Sequence, residues 1–213
     1  MRIKNMAKKK QHPLRDRQIT SRRLISAVGS LLAKKGFKGL GVNAVAREAG
    51  VDKVLIYRYF DGLPGLIAAF AQQEDFWPST LEMAGGDLAR FSGLPLDEKL
   101  SLFAVSFIQA LKKRPLTRAI MAWEMIEPNE LTEELERVRE KRIMAFFQMF
   151  FAKNHAGIDL QALVMLVGAA LSYLVIRSDN IDVYGGLDLA TDQGWDRITS
   201  VVNMVIQQMV TPK

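Results

Sequence analysis

The stretch AVAREAGVDKVLIYRYF, Ala44 to Phe60, sets a small-residue helix, a glycine turn and a short second helix ending in aromatics and arginine within seventeen residues. Val42, Val45, Ala46 and Ala49 recur at i, i+3, i+4 and i+7, which predicts a helix from about Val42 to Ala49 with those side chains inward. Gly50 supplies the left-handed residue that ends it. Asp52 is placed to cap the next helix, and Val51 to pack on Ile56 as a hydrophobic staple. With Ile56 and Phe60 on the inner face, Lys53, Val54, Tyr57 and Arg58 fall outside or at the edge. The exposed face is basic and aromatic.

Upstream, TSRRLISAVGSLLAKKGF carries Leu24, Ile25, Val28, Leu31 and Leu32 at a helical period, with Thr20 read as its N-cap and Gly36 as its stop. Three helices with a tight turn before the third match the helix-turn-helix pattern. An ordinary three-helix corner ending in glycine would look the same by spacing alone. Charge separates the two readings. Residues 1–60 hold fifteen Lys and Arg against three Asp and Glu, net +12, whereas residues 61–213 hold fourteen against twenty, net −6. The front of the chain is built to meet an anion.

GFKGLGVNAVAREAGVDKVLIYRYFDGLPGLIAAF resembles the DNA-binding domain of the TetR family of bacterial transcriptional repressors over about Thr20 to Phe70. The resemblance rests on Gly36-Phe37, Ala46, Ala49-Gly50-Val51, Ile56-Tyr57 and Tyr59-Phe60. Three departures stand beside it. Gly41 occupies the second helix's cap, where the family has Thr or Ser; Val54-Leu55 replaces a frequent Gly-Thr; and Gly62-Leu63-Pro64 replaces Ser-Lys-Glu, with loss of a lysine that meets phosphate. The resemblance implies backbone contacts from Thr20, Lys38, Asn43, Tyr57 and Tyr59, with Arg58 serving backbone or base. Base edges face whatever projects from the start of the third helix: Lys53, which donates to guanine, and Val54 and Leu55, which offer thymine methyls an apolar contact. Leu55 also reads as a core residue.

Beyond Phe70 the pattern is helical, broken at Gly85-Gly86, Ser92-Gly93-Leu94-Pro95, Pro115, Pro128 and Asn154, with no alternating strand signal. The fold class is all-α, divided into a basic tail (1–19), a helix-turn-helix DNA-binding domain (20–61) and an effector-binding and dimerisation domain (62–213). Two late segments are apolar: Ile158 to Ile176 nearly all round, and Asp192 to Val210 on a stripe of Trp195, Ile198, Val202, Val205, Ile206 and Met209. The resemblance implies that two late helices from each subunit form a four-helix bundle, here through Val164, Val167, Leu171, Leu174, Ile198, Val202, Val205 and Ile206. Intramolecular core is the competing reading.

The middle helices are rich in adaptable apolar side chains, of which Phe103, Phe107, Met121, Met125, Met144 and Phe147 are the candidates for lining an effector pocket. The family makes such a pocket for a small hydrophobic effector an expectation.

Composition bounds the alternatives. With no cysteine and only His12 and His155, the chain has no thiolate nucleophile, no Cys-bearing zinc site and no metal or cofactor assignment. No nucleophile with a partner, carboxylate pair or phosphate loop argues for an enzyme, and EPNELTEELERVREKR (Glu127 to Arg142) reads as a solvent-facing helix. The basic start lacks the apolar core of a secretory signal, so a cytoplasmic protein is expected. The apolar run Leu160 to Ile176, 17 residues, falls short of the roughly 20 that span a bilayer and reads as a buried helix. The function expected is a homodimeric, ligand-responsive repressor on a double-stranded, near-palindromic operator, with no membrane partner. The rival is an architectural DNA binder without sequence preference or ligand response.

Overall fold

Leu24, Ala27, Val28, Leu31 and Leu32, three and four apart, are buried along one side of α1 (Pro13–Lys35). The structure is a computed structural model, and it describes residues 13–152 and 158–210. His12, His155, the break at Asn154 and the first twelve residues of the expected tail lie outside that range. Residues 13–19 belong to α1, so the helix starts well before Thr20, which is not its cap: the Thr20 hydroxyl donates to the Asp16 carbonyl, 2.8 Å away within the helix. Asp16 in the first turn and Lys34 and Lys35 in the last complement the helix dipole.

A single 3-10 turn, Phe37–Gly39, leads to α2 (Val42–Ala49), which starts after Gly41 without a side-chain cap and ends at Gly50, φ 62°. α3 (Val54–Phe60) and α4 (Leu63–Ala71) follow. Asp61 takes the left-handed conformation at φ 59° to end α3. Gly65 lets α4 leave at close quarters: a Cβ there would lie 1.8 Å from the Phe60 carbonyl oxygen.

The chain divides into two compact units, Met1–Phe70 and Ala71–Lys213. α4 thus sits with the first unit, where the sequence reading had the boundary after residue 61. Leu66 and Ile67 of this helix are both fully buried.

The second unit comprises α5 (Thr80–Met83), α6 (Leu88–Gly93), α7 (Leu96–Lys112), α8 (Pro115–Ile126), α9 (Glu130–Phe151), α10 (Leu160–Arg177) and α11 (Asp192–Val210). The starts follow local chemistry: a Ser79/Glu82 capping box, an Asp87 cap, Pro115 at the head of α8, an Asn129/Thr132 box and an Asp159 cap. Each described break read from glycine and proline separates two of these helices. Between α10 and α11 lies a hairpin the sequence reading did not contain, β1 (Val183–Tyr184) paired antiparallel with β2 (Leu187–Asp188). Its strands are too short to show alternation, and Gly185-Gly186, both at positive φ, make its turn.

α7 is the central helix, with α5, α8, α10 and α11 packed on it. Its Phe103 stacks on Phe107 and Phe146 at 5.6 and 5.3 Å between ring centroids, and Phe91 meets Phe150 edge-on at 4.9 Å. α10 is apolar and long enough to cross a membrane by length and composition, where the sequence reading put its apolar run below that length. Nor is it buried all round: Leu160, Leu163, Val164, Leu171, Val175 and Ile176 are inside, whereas Leu166 and Tyr173 are exposed.

Candidate nucleic-acid interface and apolar cavity

Ile56 is fully buried and fixes which way α3 faces. Its other side, one turn apart along the helix, presents Lys53, Val54, Tyr57 and Arg58 to solvent, Val54 and Tyr57 being 59% and 57% exposed. The Asp52 carboxylate accepts from the Val54 amide at 2.8 Å and so organises the first turn, although Lys53 stands at the formal cap position with helical backbone. Four neighbouring side chains thus offer one ammonium, one guanidinium, one phenol and one apolar branch.

α1 is tied to α2 and to the turn that precedes this helix. Arg23 Nη2 donates to the Gly50 carbonyl at 3.3 Å, and Ser30 and Lys34 reach Glu48 at 2.6 and 3.0 Å, the serine hydroxyl first and then the lysine holding that carboxyl below its ordinary range. Arg17 lies over the Tyr59 ring, 5.2 Å from its centroid. Sequence reading left Arg17 in the tail; its place on α1 brings it to α3.

Of the remaining residues expected at DNA, Lys38 and Asn43 are exposed, and Leu55, Tyr59 and Thr20 are half-buried. Leu55 is divided between core and surface, and the Thr20 hydroxyl proton is engaged with Asp16.

In the second unit an apolar cavity of about 280 Å³ is bounded by α5, α7, α8, α9, α10 and Trp77. Phe103, Phe107, Met121, Met125 and Phe147 line it as expected. Met144 does not: the stripe of α9 that faces inward runs through Arg139, Ile143, Phe146 and Phe147, and Met144 is one residue off it. Val164, expected at a dimer interface, is a wall of this cavity.

Arg139 belongs to a segment read as solvent-facing. Its side chain is 13% exposed, pairs with Glu124 at 2.7 Å and lies 5.6 Å from the Trp77 ring centroid. Burial pushes the Glu124 carboxyl up, against the opposing pull of Arg139. Arg139 was legible in one respect: it continues the i, i+4, i+7 spacing of Ile143 and Phe146. Among the described residues no group of three or more His, Asp or Glu is placed to hold a metal.

A net-positive four-helix unit presenting a short helix of basic and aromatic side chains, followed by a separate helical unit around an apolar cavity, defines a helix-turn-helix DNA-binding transcriptional regulator. Residues 24–70 match the family model of the bacterial regulatory proteins, tetR family, and this DNA-binding domain belongs to the TetR family. The match ends where the first unit ends. The HTH-type transcriptional regulator RutR of Escherichia coli K12 is 22% identical over 202 residues, covering 93% of this chain and 95% of its own. Among solved structures, Salmonella enterica GusR aligns with a TM-score of 0.58 at 17% identity, over 95% of this chain and 99% of its own. Bacillus subtilis FadR, in complex with stearoyl-CoA, aligns with a TM-score of 0.55 at 18% identity, over 89% and 97%. Likeness at these identities is a likeness of fold, and it extends the all-α architecture across both units.

Proposed function

We propose that this chain is a ligand-responsive repressor that binds a near-palindromic operator as a homodimer and releases it when a small apolar effector fills the cavity. The observation that carries this reading is the exposed face of α3, where Lys53, Val54, Tyr57 and Arg58 stand together on a unit whose charge favours DNA. Lys53 and Val54 read base edges, with Leu55 contributing only its exposed part. Tyr57, Tyr59, Lys38 and Asn43 meet phosphate, as does Arg58 where it does not reach a base.

One copy reading one half-site discriminates poorly, which favours a dimer. Val164, Leu171, Ile198 and Ile206 are buried inside a single chain and are withdrawn from the expected interface. Val205, already expected there, stays, and Leu166 and Tyr173 on α10 with Val201, Met204 and Met209 on α11 join it, because all six are exposed apolar side chains on the two late helices. Val167, Leu174 and Val202, half-buried, flank them. Release follows if the effector binds the DNA-incompetent state more tightly. That FadR, of the same fold, was solved with stearoyl-CoA supports a cavity serving an apolar ligand. Such a regulator works in the cytoplasm, with no membrane partner.

Selection of bound fragments from genomic DNA, followed by competition with unrelated DNA at fixed salt, tests this reading. A palindromic consensus that resists competition supports it. Equal competition by any DNA would make the chain an architectural binder.

A further inference from the structure

The cavity carries polarity as well as volume. Trp77 is 1% exposed and lines it, and its indole Nε1–H is buried without a hydrogen-bond partner among the described residues. A buried donor left unmade is costly enough that native proteins seldom keep one without use. The one formal charge on the wall, Arg139, is already matched by Glu124 at 2.7 Å. An anionic ligand would therefore bring a second, uncompensated negative charge into an apolar enclosure. Size sets the third condition: an apolar cavity of about 150 Å³ takes up benzene, so 280 Å³ suits roughly twice as many atoms. The stacked Phe103 and Phe107 rings favour a flat body.

We infer that the effector is an uncharged, flat molecule of roughly a dozen non-hydrogen atoms with one carbonyl or ring-nitrogen acceptor that takes the Trp77 Nε1–H. The inference rests on reading the cavity as the effector site.

The test uses the full chain and three probes: 1-tetralone, tetralin, which has the same rings without the oxygen, and 1-naphthoate, which is charged. Calorimetry should show 1-tetralone binding about fivefold or more tighter than tetralin, with 1-naphthoate weakest. The Trp77 indole proton, assigned in ¹H–¹⁵N spectra by its loss in Trp77→Phe, should move downfield with 1-tetralone only. Trp77→Phe should erase the preference while still binding both neutral probes. The comparison on the unaltered protein needs no variant to fold. If both neutral probes bind alike and the indole proton stays in place, or if 1-naphthoate binds best, the acceptor class is overturned and the cavity reading survives. If no probe binds, the cavity reading falls and this inference with it.

Discussion

Arg139 Nη1 donates to Glu124 Oε2 at 2.7 Å, and the two side chains are 13% and 9% exposed, so the pair is nearly closed to water. Each charge tolerates burial because of the other. Glu124→Ala should lower stability by about 3 kcal/mol, since it strands a buried guanidinium, whereas the double change Glu124→Leu with Arg139→Met should cost far less. Urea unfolding of the two variants beside the unaltered protein checks the order. Equal losses would mean the pair contributes through packing alone.

The same pair predicts a pH dependence. Burial raises the folded-state Glu124 carboxyl above its ordinary value of 4.5, so the folded chain holds that proton more tightly than the unfolded chain. Its contribution is fully present below the unfolded value and is lost as pH rises through the folded one. Relative to Glu124→Gln, the natural protein should therefore gain stability as pH is lowered from neutrality toward 4.5. Thermal melts in matched buffers measure the difference; a gap that shrinks on acidification contradicts it.

On α3, Tyr57→Phe removes one hydroxyl and should weaken binding to every DNA sequence alike, by about 1 kcal/mol. Lys53→Ala should cost about 1 to 3 kcal/mol on the preferred operator and relax preference at one symmetric pair of positions. Titrations against operator, single-base variants and random DNA separate the patterns. Were Lys53→Ala to weaken all sequences equally, Lys53 would be an electrostatic anchor only.

Two glycines in the first unit should respond oppositely. Gly65→Ala drives a Cβ to 1.8 Å from the Phe60 carbonyl oxygen and should cost on the order of 3 kcal/mol, with loss of DNA binding. Gly41 has extended backbone, φ −177°, and open space around it, so Gly41→Ser should supply the missing cap and stabilise the chain by a few tenths of a kcal/mol. Differential scanning calorimetry resolves both.

At the proposed dimer surface, Met204→Glu should yield folded monomers, because Met204 is 61% exposed in a single chain. Ile206→Glu, at a position 1% exposed, should unfold the chain instead. Analytical ultracentrifugation with circular dichroism distinguishes the outcomes. A Met204→Glu variant that stays dimeric would move the interface elsewhere.

α2, the turn and α3 were legible in the sequence because their signals are local. Gly50 must be left-handed, Asp52 organises the turn after it, and Ile56 with Val45, Ala46 and Ala49 sets the inner face at helical spacing. The described breaks of the second unit were legible for the same reason, since Pro115, Pro128 and the paired glycines act on their own backbone. The Phe and Met candidates for the cavity were found by residue type, and five of the six line it.

What remained was decided by neighbours distant in sequence. α10 is apolar nearly all round, so its own pattern gives no preferred inner side; packing on α7, α8 and α9 puts Val164 and Leu171 inside and leaves Leu166 out. Arg139 sits among charges that read as a solvated face, and only the approach of Glu124 and Trp77 makes it a wall of the cavity. Helix boundaries follow from the conformational limits of a few adjacent residues, whereas burial of an all-apolar helix or a lone cation is set by what the fold brings against it, which no local window contains.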